Sequence, residues 1–589
     1  MVDLVLDKAS LKLLMFGSFF LLVGVTSVVM VLMGVLGDSF IVEWEFIGGY
    51  GVNMGVCVLV DMLSVLFFCL VCIISGCVFI FSVSYMEGDK YPESFCCLTV
   101  CFVIAMSVLI FVPHLVFLLV GWDLLGVISF LLVIHYKNKS SVGAGMLTIL
   151  VNRIGDVFLL ISVSFLASFG DLAVLSTSQW GVVGSGVVSI LLVMAALTKS
   201  AQLPFSAWLP AAMAAPMPIS ALVHSSTLVT AGVYLLFRYY HLFVVWDGVL
   251  VLLSKVGCLT LLMASLGASL ELDVKKLIAL STLSHLGFMV YVLGIGYPVF
   301  SIFHLFSHAL FKSLLFMCVG DFVHRGGVSL QDIRQLCGVG WGSSALLTSC
   351  VVVGFSSLCG VPYLGGFYSK HAILESSIVV FGGAFEVLCL LVSAGVSYYY
   401  SVRFLLQVVF GVPGEQCYLK SGFFTLWAPM VLLAIGSITF GYVMEHVLVE
   451  FCGVFSISFS LKMMLLMVVW LGVVVAVIDK FVGVYESGDA LWVGQSRVWR
   501  FLSAIKVFLG SMWFFQWSPL VVPKLWFCGG SMVVSALESG WMEVLGGQGV
   551  FSWFSMLSMK LFSLECVSVL VVLRFGVMTG MLVLFLLFN

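Results

Sequence analysis

Lys199 stands in an apolar stretch that also carries four prolines and a histidine, TKSAQLPFSAWLPAAMAAPMPISALVHSS over residues 198–226. A lysine at bilayer depth costs from about 2.5 kcal/mol upward, so it persists there only where a bundle interior supplies partners or water. The prolines interrupt regular helix, and non-helical backbone at that depth must be buried in protein or line a cavity. Together these features assign Lys199, and His224 beyond the break, to the handling of an ion, with the proton as first choice.

The other ionisable groups inside apolar runs are Asp61, Asp123, Arg153, Asp156, His285, His304, His308, Lys312, Lys370 and His371. His304, His308 and Lys312 recur every four residues, so on a helix they stack along one face at about 6 Å intervals, drifting about 40° per step. Histidine changes charge near neutral pH, so such a row suits a proton relay. A satisfied polar seam between packed helices, or a metal held by the i, i+4 histidine pair, are the other readings of the same spacing. Asp123 has no basic neighbour within four residues, so its partner must come from another helix. A carboxylate beside a desolvated lysine lets one charge control the proton of the other. Arg153 and Asp156 lie three apart on one helix and either neutralise each other or modulate that coupling. Asp61 caps a helix or pairs near a membrane face.

These groups must be positioned by membrane helices. The 589 residues are 62% hydrophobic and only 9% charged, against about 25% charged in a soluble domain. The chain is therefore a polytopic, all-α membrane protein. A net charge of −3 offers no basic surface, which excludes nucleic acid as a partner. The seventeen cysteines lie mostly in apolar runs, and the CxxC of Cys69 and Cys72 has no second pair at ligand spacing, so they read as small buried side chains. The first apolar run is long enough to span, and no cleavable signal pattern accompanies it.

Counting apolar runs of about 20 residues predicts roughly fifteen spans, beginning at Leu13–Val35. Residues 37–56 alternate apolar and polar around glycines, which predicts a short hairpin outside the bilayer. The Lys199 break has a counterpart in SLCGVPYLGGFYSK, where Pro362 and three glycines precede Lys370. Paired interrupted segments in two halves point to an inverted-repeat transporter with sites at the midplane. Residues 492–566 are rich in aromatics and spaced cations, as expected of an amphipathic helical segment lying laterally along the membrane, interrupted at Pro519, Pro523 and Gly529–Gly530. The organisation expected is N-terminal helices with the hairpin over 1–94, a core of two inverted repeats over 95–410, further spans over 411–491, the lateral segment over 492–566 and a terminal anchor over 567–589.

The stretches GWDLLGVISFLL, NRIGDVF, KSAQLPFSAWLP, PISALVHSSTLVTAGVYL, DVKKLIALSTLSHLGF, FHLFSHALFKSLLFM and GFYSKHAIL resemble, in order and spacing, the largest antiporter-like subunits of NADH:ubiquinone oxidoreductase, respiratory complex I, in their mitochondrially encoded chain 5 form. The match runs from about Asp61 to Arg403, with the tail fitting more loosely. The resemblance implies a proton-pumping subunit of the membrane arm in which Asp123 pairs with Lys199, His304, His308 and Lys312 bridge protons along the midplane, and Lys370 lies near the exit. It implies neighbouring membrane-arm subunits as partners, above all the adjacent antiporter-like subunit, together with membrane lipids. Flavin, iron–sulfur clusters and quinone belong in other subunits and no cofactor in this chain. The implied location is the mitochondrial inner membrane, a reading in keeping with the Phe, Val and Cys bias. Four departures stand out. Asp123 replaces a usual glutamate, His371 a usual aspartate and His285 a usual glutamine, and one span precedes the hairpin where the family has two. A subunit of a multi-subunit sodium/proton antiporter shares these motifs and is the rival reading. A structural clamp whose charges do not translocate is a second.

Overall fold

The computed structural model describes residues 8–33, 39–49, 52–168, 182–326, 331–380, 383–411, 424–449, 459–485, 497–515 and 518–588. A backbone in lipid must satisfy its own polar groups, and the long apolar runs do so as helices. In order these are α1 (Lys8–Leu32), α2 (Met62–Tyr85), α3 (Pro92–Phe111), α4 (Leu115–Val133), α5 (Lys139–Ser168), α6 (Val182–Lys199), α7 (Met217–Arg238), α8 (Asp247–Leu270), α9 (Val274–Ile295), α10 (Pro298–Gly326), α11 (Ala345–Cys359), α12 (Gly365–Val379), α13 (Ala384–Phe404), α14 (Phe424–Met444), α15 (Phe459–Tyr485) and α16 (Arg497–Gly510). Thirteen of the described helices are long and apolar enough to cross a membrane, and Gly186–Lys199 and Ala345–Cys359 are shorter apolar helices. The apolar stretch around SLCGVPYLGGFYSK is two helices, α11 and α12, because Gly360 closes α11 with a left-handed φ of 89° and Pro362 follows it.

Between α1 and α2 the expected hairpin forms from β1 (Phe40–Gly49) and β2 (Val52–Val60), antiparallel, with Trp44 opposite Val56 and a register shift between Glu45 and Ile47. Its turn at 50–51 lies outside the described residues. Asp61 then starts α2. Its backbone N–H donates to the Ser64 hydroxyl at 2.8 Å, and its carboxylate takes a 2.7 Å bond from Arg238 of α7. Arg238 also donates to the Tyr234 hydroxyl, which donates to the Ile110 carbonyl, so this lock ties three helices together.

Helices α7 and α10, which carry His224, His304, His308 and Lys312, occupy the middle of the bundle. The spans Met217–Arg238 and Pro298–His324 are buried throughout, whereas α1 and α15 are mostly exposed. With lipid as apolar as the helices, association relies on close packing, which small residues permit. A Cβ on Gly232 would lie 2.6 Å from the Ala196 carbonyl, so α7 presses against the end of α6. A Cβ on Gly366 would lie 1.8 Å from the Ser357 carbonyl, so α12 starts hard against α11. These two approaches flank Lys199 and Lys370.

Residues Met1–Gln516 form one compact unit and Trp517–Asn589 another. The second contains α17 (Ser518–Val533), a π-helical stretch over Val534–Met542, and α18 (Gln548–Leu587). One expectation is corrected here. Helix α17 runs through Pro519, Pro523 and the Gly529–Gly530 pair. A proline inside a helix forgoes one backbone hydrogen bond, and a glycine costs a helix about 1 kcal/mol. Within α18, continuous over forty residues, Val569–Leu587 is long and apolar enough to cross a membrane, where the terminal anchor is expected. The expected start of the lateral segment, 492–496, lies outside the described residues.

Candidate functional site

Helix α6 ends at Lys199, with Ala201 in a left-handed conformation (φ 54°) and the N–H of Gln202 turned back to the Leu197 carbonyl. Backbone carbonyls freed at this end find side-chain partners, the Thr198 carbonyl accepting from the Trp208 indole at 2.9 Å. A helix C-terminus carries partial negative charge, which favours the ammonium placed there. Lys199 is completely buried. Its Nζ donates to the Trp122 carbonyl at 2.5 Å and lies 3.9 Å from the centroid of the Trp122 ring.

Trp122 turns this contact into a cluster. Its indole N–H donates to Asp156 Oδ1 at 3.0 Å, so one side chain spans Lys199 on α6 and Asp156 on α5. Arg153 Nη1 lies 3.3 Å from Asp156 Oδ2 and 3.6 Å from Asp123 Oδ2. The interhelical ion-pair partner of Asp123 is thus Arg153, and Asp123 reaches Lys199 only through the field the cluster shares. The Asp123 and Arg153 side chains are 32% and 52% exposed, on an outer face of the bundle. Asp156, by contrast, is buried. Trp122 escaped the sequence reading because aromatics are common in this chain, and its place next to Asp123 was the available signal.

His224 lies one aromatic ring away from the break, its ring centroid 6.2 Å from that of Trp208. It belongs to a π-helical stretch, Ser220–Thr227, in which the wider turn releases carbonyls. The hydroxyls of Ser225, Ser226 and Thr227 take them up, bonding to the carbonyls of Ala221 and Leu222. Both His224 ring nitrogens are buried with no hydrogen-bond partner among the described residues.

The second cluster lies where α9, α10 and α12 meet. His304, His308 and Lys312 are all fully buried on α10. His304 and His308 are not bonded to each other, their ring centroids being 6.3 Å apart. Instead, His304 Nε2 meets His285 Nδ1 of α9 at 2.9 Å and His304 Nδ1 meets the Ser369 hydroxyl of α12 at 3.0 Å. His308 touches the His285 ring, with centroids 5.6 Å apart, while its nitrogens have no hydrogen-bond partner among the described residues. Lys312 Nζ donates to the Ser281 hydroxyl at 2.5 Å. Lys370 Nζ reaches back across the second break to the Cys359 carbonyl at the end of α11 (3.2 Å) and to the Ser397 hydroxyl (2.7 Å), with the Tyr398 ring centroid at 5.1 Å. Both lysines at breaks therefore contact a helix C-terminal carbonyl or stand at one. His371, beside Lys370, packs against the Phe367 ring at 4.3 Å.

Amines, imidazoles and hydroxyls dominate this second cluster, and among the described residues no group of His, Cys, Asp and Glu could hold a metal ion. Hydroxyl partners such as Ser281, Ser369 and Ser397 were not foreseen, because serines are scattered through every helix here and only their facing across helices distinguishes these three.

A bundle with two broken helices and buried charges at both breaks defines an antiporter-like membrane subunit. Residues 113–396 match the family NADH:quinone oxidoreductase/Mrp antiporter. Residues 44–96 match NADH-Ubiquinone oxidoreductase (complex I), chain 5 N-terminus, and 400–587 match NADH dehydrogenase subunit 5 C-terminus. NADH-ubiquinone oxidoreductase chain 5 of Lumbricus terrestris is 37% identical over 87% of this chain and 88% of its own length, and that of Locusta migratoria 38% over 84% and 86%. This chain belongs to the NADH-ubiquinone oxidoreductase chain 5 family, the antiporter-like transmembrane subunits of complex I. The fold is also that of a chain in the Mrp complex from a Dietzia species, with TM-score 0.72 and 24% identity over 95% of this chain and 63% of that one. A chain of an archaeal membrane-bound sulfane sulfur reductase matches with TM-score 0.63 and 21% identity over 74% and 92%.

Proposed function

We propose that this chain translocates protons within complex I, using free energy released by redox chemistry in other subunits, and that Lys199 is the group that loads and releases the proton. The observation that carries this reading is a fully buried ammonium at a helix break, held by one carbonyl and one indole, with Asp156 and Asp123 reached through Trp122 and Arg153. A charged amine in such surroundings depends on opposing charge to remain there. When Arg153 draws the two carboxylates to itself, Lys199 loses part of that support and gives up its proton. When the carboxylates face the lysine, it reloads. The proton passes inward by way of His224, Lys312, His308 and His304 to Lys370, where the second break leads out.

The half-exposed Asp123–Arg153 pair supports a protein neighbour over α4 and α5, since ion pairs facing lipid are costly. The adjacent antiporter-like subunit is the partner proposed, and a charge change arriving through it would set the position of Arg153. NADH oxidation and quinone reduction belong to partner subunits, with no cofactor in this chain, and the location proposed is the mitochondrial inner membrane. The cationic second cluster favours the proton over sodium, because neutral lysine and imidazole accept a proton and charged lysines repel a metal cation. Each charge moved against 100 mV costs about 2.3 kcal/mol, which the redox reaction must supply.

The test is the whole complex in proteoliposomes, measuring protons moved per NADH oxidised. Lys199→Ala removes the carrier, and Lys199→Arg keeps a charge that cannot be released because guanidinium stays protonated. Both are expected to assemble and to lower the ratio. An unchanged ratio in the assembled Lys199→Arg complex refutes the reading.

A further inference from the structure

One buried histidine has no part in that route. His285 lies on α9 one turn after Ser281, the anchor of Lys312, and is buried at the centre of the second cluster. Its Nδ1 is 2.9 Å from His304 Nε2, with the two rings inclined by only 20°. His304 in turn bonds through Nδ1 to Ser369, and Ser369 Oγ lies 2.9 Å from Ser307 Oγ. Helices α9, α10 and α12 are thereby joined by an unbroken string of proton-bearing atoms that ends at Ser369, the residue before Lys370 in the chain. The i, i+4 partner His308 is not in that string. Among the four charged or titratable neighbours of His285, namely His304, His308, Lys312 and Lys370, only His304 is hydrogen-bonded to it.

We propose that His285 is a proton-relay residue of this chain, forming with His304 and Ser369 a hydrogen-bonded wire from α9 to α12. The inference rests on the proton-translocating reading above. A proton arriving at His285 forms an N–H bond at Nε2, which has no partner among the described residues. The Nδ1–H bond of His285 breaks as an N–H bond forms at His304 Nε2. The Nδ1–H bond of His304 then breaks, its proton passes to Ser369 Oγ, and Ser369 releases its own proton to a water that carries it to the neutral amine of Lys370. One proton enters and one leaves, no electrons move, and each imidazole is left in the opposite tautomer, to be reset by ring rotation. Glutamine at position 285 could keep a hydrogen bond to His304, but its amide cannot accept a proton at one atom and release one at another at comparable cost.

The experiment compares His285→Gln, Ser369→Ala and Lys199→Ala in the whole complex in proteoliposomes, reading protons per NADH and the amount of assembled complex on a native gel. Lys199→Ala defines the share of pumping that depends on this chain. His285→Gln is expected to lower the rate of that share about tenfold or more, below the usual contribution of a positioned acid–base group because His308 stands nearby. Ser369→Ala is expected to do the same, and it keeps the test decisive should His285→Gln fail to assemble. Full pumping by assembled His285→Gln or Ser369→Ala, alongside loss in Lys199→Ala, overturns the wire and leaves His285 a packing residue. Full pumping by Lys199→Ala overturns the underlying function and the wire with it.

Discussion

Trp122→Phe isolates the link between Lys199 and Asp156. The substitution keeps an aromatic ring under the ammonium and keeps the carbonyl that Lys199 Nζ binds, because that carbonyl is backbone. What it removes is the indole N–H that donates to Asp156 Oδ1 at 3.0 Å. A hydrogen bond to a charged group contributes about 1.5–3 kcal/mol, and about 1.4 kcal/mol corresponds to tenfold in an equilibrium. Freed from Trp122, Asp156 is left to Arg153, so the share of time it supports Lys199 should fall roughly 10- to 100-fold. The assay is the initial rate of proton uptake by proteoliposomes holding the whole complex, normalised to NADH oxidation, for Trp122→Phe, Asp156→Asn and both together. If the bond is the cause, each single variant slows uptake and the double variant is little worse than either, because both remove the same interaction. Additive losses, or wild-type uptake by Trp122→Phe, would refute the coupling.

Other predictions follow from the same geometry. Beyond the Lys199 and His285 variants described above, Gly366→Ala should reduce the yield of assembled complex, since its Cβ would lie 1.8 Å from the Ser357 carbonyl and overpacking costs about 1–3 kcal/mol. Native-gel yield measures this, and wild-type yield would show that α12 can move aside without loss. Arg238→Ala strands the Asp61 carboxylate and removes one of the two hydrogen bonds of the Tyr234 hydroxyl, which keeps the Ile110 carbonyl. The pair is partly solvated, so the expected cost is about 1–3 kcal/mol, read as a lower melting temperature of the complex in detergent. Protons per NADH should stay at the wild-type value, and a change in that ratio would place the lock in the ion path.

Much of the site was legible in the chain itself. Charge is so scarce that the lysines and histidines of both clusters stand out, and prolines beside Lys199 and glycines before Lys370 mark where helices must break. Those are local properties, set by backbone chemistry and the cost of charge in lipid. The π-helical stretch around His224 left no such mark, because serines and a threonine that back-bond to their own helix look like ordinary polar punctuation. Pro519 and Pro523 misled for the opposite reason, since a helix can continue past a proline at the loss of one backbone hydrogen bond.

The sequence alone determined that the chain is an all-helical membrane protein, where its two breaks fall, and which side chains can carry a proton. Only the tertiary structure decided that Asp123 meets Arg153, that Trp122 stands between Lys199 and Asp156, and that His304 bonds to His285 and Ser369 rather than to His308. In a soluble helix, the polar face reveals which residues look outward. Here nearly every face is apolar, so periodicity says little about rotation. Hydrogen bonds between helices depend on rotation and depth to within about an ångström, and those are set by close approaches such as Gly232 on Ala196 and Gly366 on Ser357.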